Sequence, residues 1–145
     1  MAAECVFCGI AGGRIAVPVV MEDALAIAVL DHRPLFPGHC LLIPKAHYET
    51  LLDVPEDVIG PLFARARRLS AALELGLGAE GSFVALNNRV SQSVPHLHIH
   101  VVPRRRGDGL KGFFWPRGKY RDAAHAEEVR AAIAQALERF GQPSP

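Results

Sequence analysis

The sequence predicts an α+β domain in which an antiparallel sheet of about five strands packs with two main helices. Three observations lead there. Short apolar runs rich in β-branched residues recur between turn signals, and two longer stretches repeat apolar residues at three- and four-residue steps. Strands come in a run, then a helix, then strands and a helix, without the regular alternation that builds a parallel sheet. The 145 residues, 50% hydrophobic and 21% charged, suffice for one core. The chain is therefore read as one domain, 1–145, with a core over about 5–115 and a C-terminal helix and tail over 116–145.

Val17 to Met21 and Leu25 to Leu30 flank the turn-like pair Glu22-Asp23 and suit a β-hairpin. Pro37-Gly38 breaks the chain, and Cys40 to Ile43 makes a third strand that stops at Pro44. Asp53, with Glu56 three residues on and Pro55 between, has the form of a capping box, and Gly76 and Gly78 supply a stop. Between them Val58, Leu62, Ala66, Leu69 and Leu73 mark one helical face, while Arg65, Arg67, Arg68 and Glu74 mostly fall elsewhere. Ser82 to Leu86 and Leu97 to Val102 are the next strands. Asp122 caps a second helix carrying Val129, Ile133, Leu137 and Phe140, and Gln142 to Pro145 reads as a frayed tail.

Sixteen Lys and Arg against fifteen Asp and Glu leave a net charge of +1, which gives no global field for nucleic acid or an anionic membrane. The longest purely apolar run, Ala24 to Leu30, is seven residues, against the ~20 of a spanning helix, so no membrane partner is expected. Met1 to Cys5 shows neither a basic n-region nor an apolar h-region, and a cytoplasmic protein is expected. Three cysteines are too few for a disulfide framework, which leaves metal or thiol chemistry.

The strongest signal is His96-Leu97-His98-Ile99-His100, continued by Val101-Val102-Pro103. Strand side chains alternate faces, so three imidazoles form one ridge while Leu97, Ile99 and Val101 enter the core. A merely solvated face would draw more naturally on Thr, Lys, Glu and Ser. Three imidazoles at this spacing suit a metal site, or phosphoryl transfer in which one attacks and its neighbours share protons and charge. Spacing alone leaves both open.

His96 through Val102 resembles the signature of the histidine-triad (HIT) nucleotide-binding family, in which three histidines alternate with apolar residues. Supporting blocks are Cys5-Val6-Phe7-Cys8, Glu22-Asp23 ahead of a strand ending at Asp31, Pro37-Gly38-His39, Ile43-Pro44-Lys45-Ala46-His47, and Asn87, Gln92 and Ser93. The resemblance covers roughly residues 5–115. It implies a homodimer whose sheets join, a purine-nucleotide pocket, and hydrolysis at the α-phosphate through a nucleotidyl-histidine intermediate. Carried over by position, His98 is the nucleophile, His96, His100 and His39 complete the network, and Ser93 meets the phosphate or leaving group. Asp31 would hold the ribose hydroxyls, Val6, Phe7 and Ile10 the base, and Asn87 and Gln92 the nucleotide. Phosphorylase and nucleotidyltransferase relatives carry glutamine at the third triad position, so His100 favours water as acceptor. Two departures stand out: Asn88 to Gln92 lacks the glycines many relatives place there, and Val29 stands where many carry an aromatic residue.

Cys5 and Cys8 form a C-x-x-C, a spacing that fits zinc or a redox dithiol. In the bacterial members this chain resembles, the remaining ligands map to His47 and His96, which implies one structural zinc per chain. A catalytic zinc built from the whole triad is a further alternative. Between 104 and 122, seven cations (Arg104, Arg105, Arg106, Lys111, Arg117, Lys119, Arg121) face two carboxylates (Asp108, Asp122), with Phe113, Phe114 and Trp115 interleaved. The stretch reads either as a solvated loop or as an arm attracting a polyphosphate or nucleic acid. The rival to a hydrolase is a nucleotide-sensing or nucleic-acid-binding module with little turnover.

Overall fold

The computed structural model describes residues 5–110 and 117–140. The chain divides into two compact units after Asp108. The first holds α1 (Val6–Ala11), β1 (Val19–Glu22), β2 (Ala26–Leu30), β3 (Cys40–Pro44), a 3-10 turn (Leu51–Asp53), α2 (Glu56–Leu77), β4 (Gly81–Ala85) and β5 (Ile99–Arg104). The strands make one antiparallel sheet in the order β1-β2-β3-β5-β4. The five-stranded α+β expectation is met. To its two main helices the structure adds the short α1.

The central strands are buried on both faces, which explains why Ala26–Val29 and Cys40–Pro44 are apolar at every position. Ala26, Ala28, Cys40 and Leu42 join Leu97, Ile99 and Val101 against Leu62, Ala66, Leu69 and Leu73 of α2. Ile27, Val29, Leu41 and Ile43 face the other way and meet Phe7 and Ile10 of α1. The triad therefore does not lie on an open face.

α2 begins differently from the sequence expectation. The capping box is Thr50 with Asp53, closing the 3-10 turn, and Pro55 is the N-cap of α2. Both Thr50-x-x-Asp53 and Asp53-x-x-Glu56 fit the pattern, and Pro55, with its fixed φ, ends one turn and admits the next. At the other end Gly78 takes φ 66°, and its N–H and that of Ala79 satisfy the carbonyls of Glu74 and Leu73.

The second unit holds α3 (Ala123–Arg139), whose N-cap Asp122 accepts from the His125 N–H at 2.8 Å as its sequence predicts. No residue of α3 is buried.

Candidate functional site

Strand parity assembles the site. Asp31 continues the face of Ile27 and Val29; His39 shares a face with Leu41 and Ile43; His100 sits opposite Leu41 across the β3–β5 ladder. The Asp31 N–H donates to the His39 carbonyl at 2.9 Å, carrying the β2–β3 ladder one step past the strands and setting these two side chains together.

Cys5, Cys8, His47 and His96 converge, their ligand atoms all within 4.8 Å of one another. Cys8 Sγ lies 3.2 Å from His47 Nδ1 and 3.5 Å from His96 Nδ1, and Cys5 Sγ lies 3.4 Å from His96 Nδ1. Tetrahedral zinc, with Zn–S ~2.3 Å and Zn–N ~2.0 Å, would separate sulfur and nitrogen by about 3.5 Å. The donor atoms are thus spaced as zinc requires. Their protonation fits too: His96 Nε2–H donates to the Pro44 carbonyl at 2.8 Å, which leaves Nδ1 as the lone pair facing the cysteines. Burial holds His96 below its ordinary pKa, in the neutral form a ligand needs. Burial and the neighbouring Cys5 push the Cys8 thiol up, so two thiolates side by side call for a cation between them.

His98 and His100 stand outside that cluster, so the triad does not gather round one metal as a catalytic zinc would require. His96 is turned to the cysteines, while His98 Nδ1–H donates to the His96 carbonyl at 2.8 Å. That bond fixes the tautomer and leaves Nε2 with a free lone pair. A second chain of bonds fixes His39 and His100. The Leu35 N–H donates to His39 Nδ1 at 3.1 Å, so the His39 proton sits on Nε2, which donates to His100 Nδ1 at 2.9 Å. His100 then carries its own proton on Nε2. Asp31 Oδ2 is 3.6 Å from His39 Nε2. Burial, then the charges of His98 and His39, lower His100 to about 4; burial lowers His39, with Asp31 opposing. Asp31, His39 and His100 also offer metal-ligand atoms to one another. An ion on His39 Nε2 would need a proton on Nδ1, where the Leu35 N–H already points; the trio fits a proton relay instead.

Beside the histidines lies a cavity of about 500 Å³, lined by Val6, Phe7, Ile10, Ile15, Val17, Pro18, Val29, Leu30, Asp31, His32, Leu41, Ser93, Val94 and His98. It is apolar over most of its wall, with Asp31, Ser93 and His98 converging from three different segments, and its size suits a mononucleotide. Phe7 meets His98 edge-on, ring centroids 4.9 Å apart. Of the residues sequence reasoning assigned to the nucleotide, Asp31, Val6, Phe7 and Ile10 line this cavity, as does Ser93. Val29, singled out as a departure from the family pattern, also lines it; Leu41, whose pairing with Val29 could have placed it there, and Ile15, Val17 and Pro18, which follow no pattern, were not foreseen as wall residues.

Residues 13–107 match the family model described as the HIT domain. The chain belongs to the HIT family. It is similar to the structure of a zinc-bound histidine triad family protein from Mycobacterium smegmatis, at 35% identity and TM-score 0.72, over 96% of this chain and 99% of that one. It is 35% identical to an adenylylsulfatase of Arabidopsis thaliana over 74% of this chain, spanning 55% of that protein. An adenosine 5′-monophosphoramidase of Candida albicans is 32% identical, over 79% of each chain.

In this HIT chain the segment before the triad is held by its own side chains. Gln92 Nε2 donates to the Glu49 carbonyl at 2.6 Å while its Oε1 accepts from the Arg89 N–H at 2.7 Å. Asn87 Nδ2 donates to the Ser91 carbonyl at 3.2 Å, and Asn88 Oδ1 accepts from the Leu51 N–H at 2.9 Å. Asn87 and Gln92 thus stand apart from the cavity wall. Arg89 and Ser91 adopt φ 69° and 61°, left-handed values that glycine would take without strain.

Within the basic stretch Arg104 to Arg106 are tied to the fold, while Arg117, Lys119 and Arg121 are exposed. Arg104 pairs with Asp108 at 2.6 Å, Arg105 donates to the Leu77 and Gly78 carbonyls that end α2, and Arg106 pairs with Glu80 at 3.4 Å. Lys111 and Phe113 to Trp115 lie outside the described residues.

Proposed function

We propose that the protein is a zinc-containing hydrolase of nucleoside 5′-phosphoryl compounds, with His98 as nucleophile. The observation that carries this reading is the His98 Nδ1–H bond to the His96 carbonyl, which presents the Nε2 lone pair beside Asp31 and Ser93 at a nucleotide-sized cavity. The family and two characterised relatives, a phosphoramidase and an adenylylsulfatase, support it.

In the first half-reaction His98 Nε2 bonds to the α-phosphorus as the bond to the leaving group breaks with its electron pair. The cationic imidazole so formed keeps its Nδ1–H on the His96 carbonyl, whose dipole opposes the new charge. Ser93 and the His100 Nε2–H are the donors for the phosphoryl oxygens and the departing group. In the second half-reaction water attacks phosphorus, the P–N bond breaks back onto His98, the proton that water sheds replaces the one the first leaving group took from the site, and a nucleoside monophosphate leaves. Asp31, an acceptor for two vicinal hydroxyls, holds the ribose. Val6, Phe7 and Ile10 enclose a purine, and Asn87 and Gln92 contribute by shaping the loop that carries Ser93. Cys5, Cys8, His47 and His96 would hold a zinc ion whose contribution is structural, since four protein ligands leave no place for substrate.

The reading extends to assembly and location. A homodimer would join two sheets through β4, an edge strand whose ladder to β5 is regular, rather than through β1, whose register is broken between Val19 and Met21. Cys5, Cys8 and Cys40 form no disulfide, which suits the reducing cytoplasm. The test is steady-state hydrolysis of an adenosine 5′-phosphoramidate, an adenylyl sulfate and a diadenosine polyphosphate. His98→Ala should cut turnover at least a thousandfold while AMP affinity stays within a few-fold. Wild-type protein that binds AMP but hydrolyses none of the three would favour a nucleotide-sensing module.

A further inference from the structure

α1 has only six residues, too few to hold a helical turn in water without outside contacts. Its sequence interleaves two tasks. Cys5 at the N-cap and Cys8 face His47 and His96, while Val6, Phe7 and Ile10 form one wall of the cavity. The two tasks meet again in Phe7, whose ring lies edge-on to the metal-site histidine, His96, at 6.0 Å and to His98 at 4.9 Å. Just ahead of β5, His96 and His98 are further joined by the Nδ1–H to carbonyl bond. On the metal side, His47 comes from beyond β3 and His96 from ahead of β5, so an ion held by all four residues would tie α1 to two separate segments that flank the sheet strands.

From this juxtaposition we infer that zinc and nucleotide are coupled ligands: the metal latches α1 in place as the wall of the nucleotide cavity, so zinc occupancy sets nucleotide affinity. The inference rests on the reading of the cavity as a nucleotide pocket. Without metal, α1 keeps only Phe7 and Ile10 against Ile27, Val29, Leu41 and Ile43, the edge contacts of Phe7 with His96 and His98, and weak thiol–imidazole contacts from Cys5 and Cys8, all weaker than four metal–ligand bonds. A fraction of molecules then has the wall undocked, and the measured nucleotide affinity falls by that fraction. By linkage the reverse holds: nucleotide seated against Val6, Phe7 and Ile10 favours the docked helix and tightens zinc by the same factor. Couplings of this kind run at roughly 5- to 150-fold.

The experiment is calorimetric titration of AMP into full-length protein loaded with zinc and into the same protein stripped by chelator, with metal content measured in both. AMP should bind at least tenfold more weakly to the stripped protein. A complementary measurement needs no stable metal-free form: zinc affinity, read by competition with a chromophoric chelator, should tighten at least tenfold at saturating AMP. His47→Ala, at an exposed position outside the cavity wall, should reproduce the loss of AMP affinity with an unchanged far-ultraviolet circular dichroism spectrum. AMP affinities within twofold of each other in the two states would overturn the coupling and leave the nucleotide pocket standing. AMP binding to neither state would overturn the pocket and the coupling together.

Discussion

Replacing His100 by glutamine should flatten part of the acid limb of the protein's stability. In the folded chain His100 sits at about 4 rather than 6.5, because burial and the charges of His98 and His39 disfavour its cation. The unfolded chain takes up a proton near pH 6.5 that the native site refuses until about pH 4. Protons bound by the unfolded state alone pull the equilibrium towards it, so this contribution is absent well above pH 6.5 and grows as pH falls through the window down to about 4. Linkage puts the full effect between pH 7 and pH 5 at about 2 kcal/mol, and the partial exposure of the ring reduces it to about 1 kcal/mol. Glutamine keeps an acceptor for the His39 Nε2–H and cannot titrate. Urea denaturation of both proteins at half-unit steps from pH 7 to pH 5 should show the wild type losing about 1 kcal/mol more than His100→Gln. Parallel stability curves would refute the claim that His100 is held neutral by its surroundings.

Three further outcomes follow from the same geometry. Asp23 accepts from the Leu25 and Ala26 N–H groups and pairs with Arg65 at 2.7 Å, which holds it at about 2. Asp23→Asn should cost about 1 kcal/mol at pH 7, a deficit that closes as pH falls below 3.8 towards 2, read by denaturation across that range. A Cβ on Gly38, at φ 101°, would be strained and would collide with Leu77 Cδ1, so Gly38→Ala should lower the melting temperature by roughly 5 °C or more. Metal analysis should find about one zinc per chain, lost in Cys8→Ser and retained in Asp31→Asn, because the Asp31, His39 and His100 trio is wired for protons.

The histidine ridge was legible in the sequence because it rests on a short, rigid rule, whereas of the metal cluster the spacing gave only Cys5 and Cys8, and His47 and His96 followed from the family resemblance. Alternation along a strand fixes which face His96, His98 and His100 share, and two ligands at C-x-x-C spacing can reach one ion. What covers the ridge was not legible. Val6–Ala11 is too short to show a helical period, and its role emerges only when Phe7 and Ile10 find Ile27, Val29, Leu41 and Ile43 from distant strands. The start of the last strand was misplaced for a similar reason. Leu97 is buried and alternates like a strand residue, yet its N–H donates to the Tyr48 carbonyl, and the regular ladder begins at Ile99. Arg104 to Arg106 read as a basic arm because sequence shows charges and not partners, and their partners, Asp108, Glu80 and the end of α2, are settled by the fold.

The central claim is that the His98 Nε2 lone pair, freed by the bond from Nδ1–H to the His96 carbonyl, attacks phosphorus. Mass spectrometry of protein quenched in alkali during turnover of an adenosine 5′-phosphoramidate tests it most directly. The account predicts an AMP adduct that maps to His98 and is absent from His98→Ala. Turnover with no adduct on His98, or with the adduct on another residue, would contradict it.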